Sequence, residues 1–246
     1  MNADQVRLLA HQLRLFGIHA AFAHRAEQAV AEQLHPLEFL RLMLEDEVLE
    51  RKNRMAKILT TRAKFRHGAV LDDFDLTFDR GINKARMKEL AVLAFYHRKE
   101  NLLLFGKTGE GKTHLAVALG HRFCAEGLRT VFMPVNFLFE EVAAAKAAGR
   151  YLGLIKQLNQ SRVLILDDFG LRKYTHDEAT VLIDLLEDRY QKGSVIVTSQ
   201  VSDKGWQKLF DDPVIAEAIV DRLTKPAQKL AMSGGSYRER LQAKGN

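Results

Sequence analysis

The sequence predicts an α/β fold: a parallel sheet flanked by helices, preceded by a small all-helical domain. Three observations carry this. From residue 102 onward, short apolar runs alternate with helical stretches, the pattern of parallel strands buried beneath crossover helices. A glycine-rich loop joins the first of those runs to a helix. Before them, the first 67 residues hold one glycine, Gly17, and one proline, Pro36, and read as helix. The expected division is residues 1–67 for the helical domain and 68–246 for the α/β domain.

In the helical block, apolar residues at 37, 40, 44, 48, 55 and 59 recur near the 3.6-residue period. Pro36 suits the first turn of that helix. Residues 37–50 are acidic, whereas 51–66 carry Arg51, Lys52, Arg54, Lys57, Arg62, Lys64 and Arg66 and no acid. The stretch LDDFDLTFDRGIN reads as a linker, with Phe74 and Phe78 placed to pack onto the α/β domain. Then come a helix over 83–99, a strand at 102–105, a helix at 112–126 and a strand at 130–133. One or two helices fill 136–159. A strand at 162–167, a helix at 177–191 and a strand at 194–199 come next. Helices at 203–209 and 213–224 and a short strand near 228–232 complete the pattern.

Composition narrows the function. The chain has 246 residues, and Lys+Arg 37 against Asp+Glu 31 gives a net charge of +6, which favours a polyanionic partner. One cysteine, Cys124, excludes a disulfide within the chain and a thiolate metal cluster. The nine histidines lack zinc-site spacing. The longest apolar run is Leu90 to Tyr96, where a spanning helix needs about 20 residues. The N-terminus is charged every few residues and lacks a signal peptide's apolar stretch. A cytoplasmic protein with no membrane partner is therefore expected.

The chemistry sits at three strand ends. Gly106-Lys107-Thr108-Gly109-Glu110-Gly111-Lys112-Thr113 matches GxxxxGK[ST] between a buried strand and a helix, the context of a phosphate-binding loop. Its backbone N–H groups would cradle the phosphates of ATP. Lys112 would contact the β- and γ-phosphates and the Thr113 hydroxyl would ligate Mg²⁺. The Lys107 side chain is expected to point to water. The strand RVLILDDFG ends in two carboxylates, where α/β sheets meet their ligands. Asp167 fits a residue that holds Mg²⁺ through its water, and Asp168 one that polarises the attacking water. Thr198 and Ser199, at the end of VIVTSQ, are placed for the γ-phosphate or the attacking water. His114 is expected to be packed, and Cys124 to be buried behind the loop. Arg222 and Arg189 each end a helix; either is a surface ion-pairing residue or a functional cation. For the basic run, phosphate contact competes with pairing to the acidic 45–50 segment. The second cationic candidate is the 136–159 region, with Lys146, Arg150 and Lys156.

Together these segments resemble the AAA+ ATPases of the initiator and helicase-loader group, and within it IstB-type transposition helpers. GKTGEGKTHLAVALG is similar to the Walker A loop and its helix, RVLILDDFG to Walker B, and IVTSQ to sensor 1. LEFLRLMLEDEVLERKNR resembles the family's N-terminal helical region. DDPVIAEAIVDRL resembles the segment whose arginine finger would be Arg222, and GGSYR the one whose sensor 2 arginine would be Arg238. The resemblance implies ATP-dependent assembly into rings or spirals on double-stranded DNA, help to a partner transposase, and a role in choosing the insertion site. It also implies that the extra helix after the second strand faces DNA. The alternative is a DnaC-like replicative helicase loader. A P-loop kinase would need an acceptor pocket and a closing lid, and no segment supplies either. Two departures stand out. Asp168 replaces the usual Glu and is one methylene shorter, which implies slow basal hydrolysis, stimulated by DNA or a partner. Lys107 and Glu110 occupy positions where small or apolar residues are usual.

Overall fold

The computed structural model describes residues 3–71 and 81–234. Phe74, Phe78 and Arg238 lie outside the described residues. The chain divides into two compact units, residues 1–58 with 125–127, and residues 59–124 with 128–246.

The first unit contains α1 (Ala3–Gln12), α2 (Phe16–Ala31) and residues 36–58 of α3 (Pro36–Ala63). The block expected to be helical throughout is thus interrupted twice, and Arg14 (φ 58°) and Gln33 (φ 50°) take left-handed conformations at the breaks. Gly17 lets α2 lie directly on the backbone of α3: a Cβ there would sit 2.5 Å from Glu47 Cα. The buried Glu47 carboxylate accepts hydrogen bonds from Gly17 N at 2.7 Å and Ile18 N at 3.3 Å, and from Arg51 Nε at 2.6 Å. Burial pushes this carboxyl up, but the Arg51 hydrogen bond and the two N–H donors outweigh it and hold Glu47 below the usual range. Arg25 grips Asp46 through Nε at 2.7 Å and Nη2 at 3.0 Å, a bidentate pair between α2 and α3. Of the apolar row read from the sequence, only Leu59 is buried; over residues 36–58 the row is not the face α3 turns inward. Met43 and Glu47 are buried, while Leu37, Leu40, Leu44, Val48 and Met55 are exposed.

The second unit is built on a five-stranded parallel sheet in the order β2-β3-β4-β1-β5. Its strands are β1 (Asn101–Phe105), β2 (Thr130–Pro134), β3 (Val163–Phe169), β4 (Ser194–Ser199) and β5 (Ala227–Ala231). Alternation along β1 sends Leu102 and Leu104 into one apolar layer and Leu103 into the other. The first layer includes α6 (Lys112–Ala125) through Leu115, Leu119 and Phe123. The second is filled by α7 (Val135–Ala147), α9 (His176–Arg189) and α10 (Pro213–Thr224). A short α8 (Tyr151–Asn159) completes the β2–β3 crossover, so the 136–159 region is two helices.

Two elements differ from expectation. The helix over 83–99 is broken into α4 (Lys84–Ala91) and α5 (Ala94–His97) by Leu93, which is left-handed at φ 55°. Positions 93 and 95 would lie about 200° apart on a continuous helix. The break lets Leu90, Leu93 and Phe95 all be buried in one layer. The segment Asp203–Leu209 is a 3-10 helix whose Trp206 is fully buried against Phe105 and Phe169.

Candidate nucleotide site

Strand order positions the site. β4 lies between β1 and β3, so the Thr198 end of β4 separates the loop after β1 from the carboxylates of β3. In the loop, Gly106 (φ 153°), Gly109 (φ 90°) and Gly111 (φ 92°) adopt backbone conformations open to glycine, and Lys112 opens α6. The buried Lys112 ammonium donates to the carbonyls of Gly106 at 2.7 Å and Lys107 at 2.8 Å, inside the loop. Burial pushes its pKa down, opposed by the charges of Glu110, Asp168 and Asp167. Lys107 and Thr108 are exposed; Thr108 Oγ1 donates to Gln200 Oε1 at 3.0 Å. Glu110 is buried behind the loop, where its Oε2 accepts from Lys107 N at 2.5 Å. Glu110 therefore braces the loop backbone.

At the end of β3 the register shifts between Leu166 and Phe169, and Asp168 turns left-handed at φ 60°. Such a bulge re-aims a side chain. It leaves Asp167 buried and Asp168 half-buried. Asp167 Oδ1 accepts from Thr113 Oγ1 at 2.8 Å and from Thr198 Oγ1 at 2.6 Å, tying the loop, β3 and β4 together. The Thr198 oxygen also accepts from Asp168 N at 2.9 Å, which fixes the bulge. Asp167 Oδ2 is buried without a hydrogen-bond partner. A buried carboxylate oxygen left so costs free energy unless a cation or its water meets it. A carboxylate and a hydroxyl on adjacent elements are the hard oxygen donors Mg²⁺ prefers, so Thr113 and Asp167 fit that ion. Among the described residues no group of three His, Cys, Asp or Glu side chains suits a metal held by protein alone.

Other candidates lie elsewhere. The Ser199 hydroxyl is buried and turned away from the loop; it donates to Phe169 O at 2.7 Å and accepts from Val201 N and Trp206 Nε1. Arg222 sits beside Asn101 at the start of β1, its backbone carbonyl accepting from Asn101 Nδ2 at 3.0 Å. That is a strand length, about 15 Å, from the loop at the other end of β1. Its guanidinium pairs with Glu187 rather than with Asp221 or Glu217. Arg189 is not a surface residue. It is buried, and its guanidinium donates to the carbonyls of Leu158, Ser161 and Ser194. Burial pushes its pKa down to about 10. Arg189 is thus committed to joining three segments of backbone.

The basic candidates are all exposed. Arg51 pairs with Glu47 and Arg54 with Glu50, one turn back, so the acidic half of α3 partly neutralises the basic half. Arg54 also lies 4.2 Å over the Phe16 ring, and Lys52 pairs with Glu126 at 3.4 Å. Lys146 lies 5.3 Å over the Tyr151 ring. Arg150 lines a groove of about 950 Å³ together with Arg62, Lys64 and Arg66. In the sequence Arg66 is only one charge in a run. In the fold its Nη1 is 4.0 Å from Asp167 Oδ2, a proximity across 101 residues of sequence that no local pattern signals.

A parallel sheet in this order, with a phosphate loop after β1 and paired carboxylates at the end of β3, defines an AAA+ P-loop ATPase. Residues 8–245 match the family described as IstB-like ATP binding protein, and the chain belongs to that family. It is 40% identical over 212 residues to an insertion sequence IS21 ATP-binding protein of Pseudomonas aeruginosa, covering 86% of this chain and 80% of that one. It is 36% identical over 230 residues to an insertion-sequence ATP-binding protein of Sinorhizobium fredii, covering 94% of each. The fold is shared with DnaI (TM-score 0.56, 23% identity, 68% of this chain and 89% of that one). It is shared also with the DnaC helicase loader (0.51, 22%, 67% and 97%) and with AMPPCP-bound DnaA from Aquifex aeolicus (0.58, 17%, 74% and 55%).

Proposed function

We propose that this ATPase works on double-stranded DNA, assembling there in its ATP form and assisting a partner transposase in the cytoplasm. The observation that carries the catalytic part is the Thr113–Asp167–Thr198 cluster beside Lys112. Loop N–H groups and the Lys112 ammonium bind the β- and γ-phosphates once Lys112 leaves the two carbonyls it now holds. Thr113 and Asp167 would hold Mg²⁺, which would supply positive charge to the nucleotide's phosphates. Asp168 accepts a proton from the attacking water, and Thr198 keeps the backbone of Asp168 in its bulged conformation. Arg222 is too far from its own loop, so it would act as a finger in the site of a neighbouring copy. Ser199 supports the end of β4 through Trp206. Arg238 is carried over as sensor 2 from the family likeness alone.

The exposed cations Arg51, Lys52, Arg54 and Lys57 on α3, Lys146 in the last turn of α7 and Arg150 just before α8 offer duplex phosphate contacts. The transposase assignment rests on relatives that belong to insertion sequences. The fold shared with DnaI and DnaC favours a second reading, a helicase loader. The test is nucleotide binding and turnover with and without duplex DNA, together with capture of the partner by the tagged chain. Lys112→Ala should abolish binding, and Asp168→Asn should bind ATP but not turn it over. Normal turnover by Asp168→Asn would remove Asp168 from its role, and capture of a replicative helicase instead of a transposase would reverse the choice.

A further inference from the structure

The structure points to Arg66 as a stand-in for the metal ion. The Arg66 guanidinium neutralises Asp167 when Mg²⁺ is absent, and the two compete for one carboxylate oxygen. The inference rests on the Mg-ATP reading of the site.

Asp167 is wholly buried, and its Oδ1 is saturated by two hydroxyls. Its Oδ2 has no hydrogen bond, and Arg66 Nη1 stands 4.0 Å from it, an ion pair without contact. A carboxylate buried without a nearby cation is costly, so this pairing offsets part of the burial. Arg66 is brought there by the chain around it. α3 ends at Ala63, and Lys64 turns left-handed at φ 57°. Phe65 then enters the core, its ring 4.5 Å from His121 and pressed against Gly120, where a Cβ would lie 2.6 Å from the ring. The next side chain, Arg66, is directed to Asp167. His67 stacks on His114, the residue after Thr113, with ring centroids 5.7 Å apart. The segment 64–67 is therefore fixed on the metal-binding flank of the site. The Arg66 side chain itself stays 54% exposed, and besides Asp167 it faces the Phe132 ring at 6.0 Å, so it can leave at the cost of that one ring contact. Arg66 and the ion cannot both neutralise Oδ2, which makes the metal requirement of nucleotide binding depend on this residue.

The test is titration of the full chain with Mg²⁺ at a fixed concentration of a fluorescent ATP analogue. In Arg66→Gln the Mg²⁺ concentration for half-maximal binding should fall about fivefold, the scale of a charge pair at 4 Å whose exposed guanidinium is screened by water. Arg66→Lys should stay near the wild type. In EDTA without nucleotide, Arg66→Gln should melt below the wild type, and the gap should close in Mg-ATP. An unchanged or raised Mg²⁺ requirement in Arg66→Gln would overturn the inference while leaving the nucleotide site intact. A wild-type chain that binds no nucleotide at any Mg²⁺ concentration would overturn the site reading, and this inference with it.

Discussion

Thr198 shows how much one hydroxyl can hold. Its single hydrogen goes to Asp167 Oδ1, and its oxygen receives Asp168 N, so it fixes one carboxylate directly and the other through its backbone. Thr198→Val keeps shape but removes both partners, and leaves the partly buried Asp168 N–H without this acceptor. That should cost about 1–3 kcal/mol of stability, read by urea denaturation, with Thr198→Ser recovering most of it. If Asp168 depends on the bulge for its aim, turnover should fall more than nucleotide affinity. The neighbouring Ser199 illustrates what sequence hides. Both hydroxyls end the same buried strand, but alternation sends one to Asp167 and the other to Trp206. Which face meets the nucleotide depends on the sheet, not on the two residue names. Arg189 is similar. At the end of a helix it reads either as a surface ion-pairing residue or as a functional cation, and only the fold reveals three carbonyls converging on it.

Among the elements, the crossing of α2 and α3 has a pH signature. Glu47 is held below the usual carboxyl range in the folded chain. A group whose folded pKa is depressed contributes stability that is full above the unfolded pKa and is lost as pH falls through the folded one. The contribution should therefore fade below about pH 4.5. Glu47→Gln, which keeps size but loses the charge facing Arg51 and two N–H groups, should melt lower near neutral pH, and its deficit should shrink on acidification. Melting curves from pH 7 to pH 3 check this; a deficit independent of pH would make the role one of shape alone. The elements were legible where signals are contiguous. The phosphate loop declared itself because glycines, lysine and threonine lie within eight residues between a strand and a helix. The strands showed as apolar runs. The break at Leu93 was not legible, because an unbroken apolar run contains no residue that disfavours helix and the demand for it comes from the core. Nor was the orientation of α3, since its apolar row and the face that meets α2 are different faces.

For the molecule as a whole, Arg222 lies far from its own loop, so its proposed finger role would require a second copy of the chain. Arg222→Ala should keep nucleotide binding and lose turnover, by about 10³-fold or more for a finger arginine. On the same proposal Asp168→Asn should have a dead pocket but an intact finger. Mixed under conditions where cross-linking proves co-assembly, the two should regain partial activity; none at any ratio would take Arg222 out of the active site. Duplex binding should weaken steeply with salt, because phosphate contacts release counterions. Reversing Arg51, Arg54 and Lys57 to Glu should lower both affinity and that slope. The sheet itself limits how copies join. Its outer strands in the described residues, β2 and β5, are five residues each. β2 ends in Pro134, which has no N–H to offer, and β5 carries Lys229 drawn onto Asp203. Short edges bearing proline or lysine resist recruiting a further strand. Growth by sheet extension, the irreversible route that leads to fibres, is thereby disfavoured. Helix and loop side chains are then the surfaces left for copies of this chain to meet, contacts that can come apart again where a shared sheet could not.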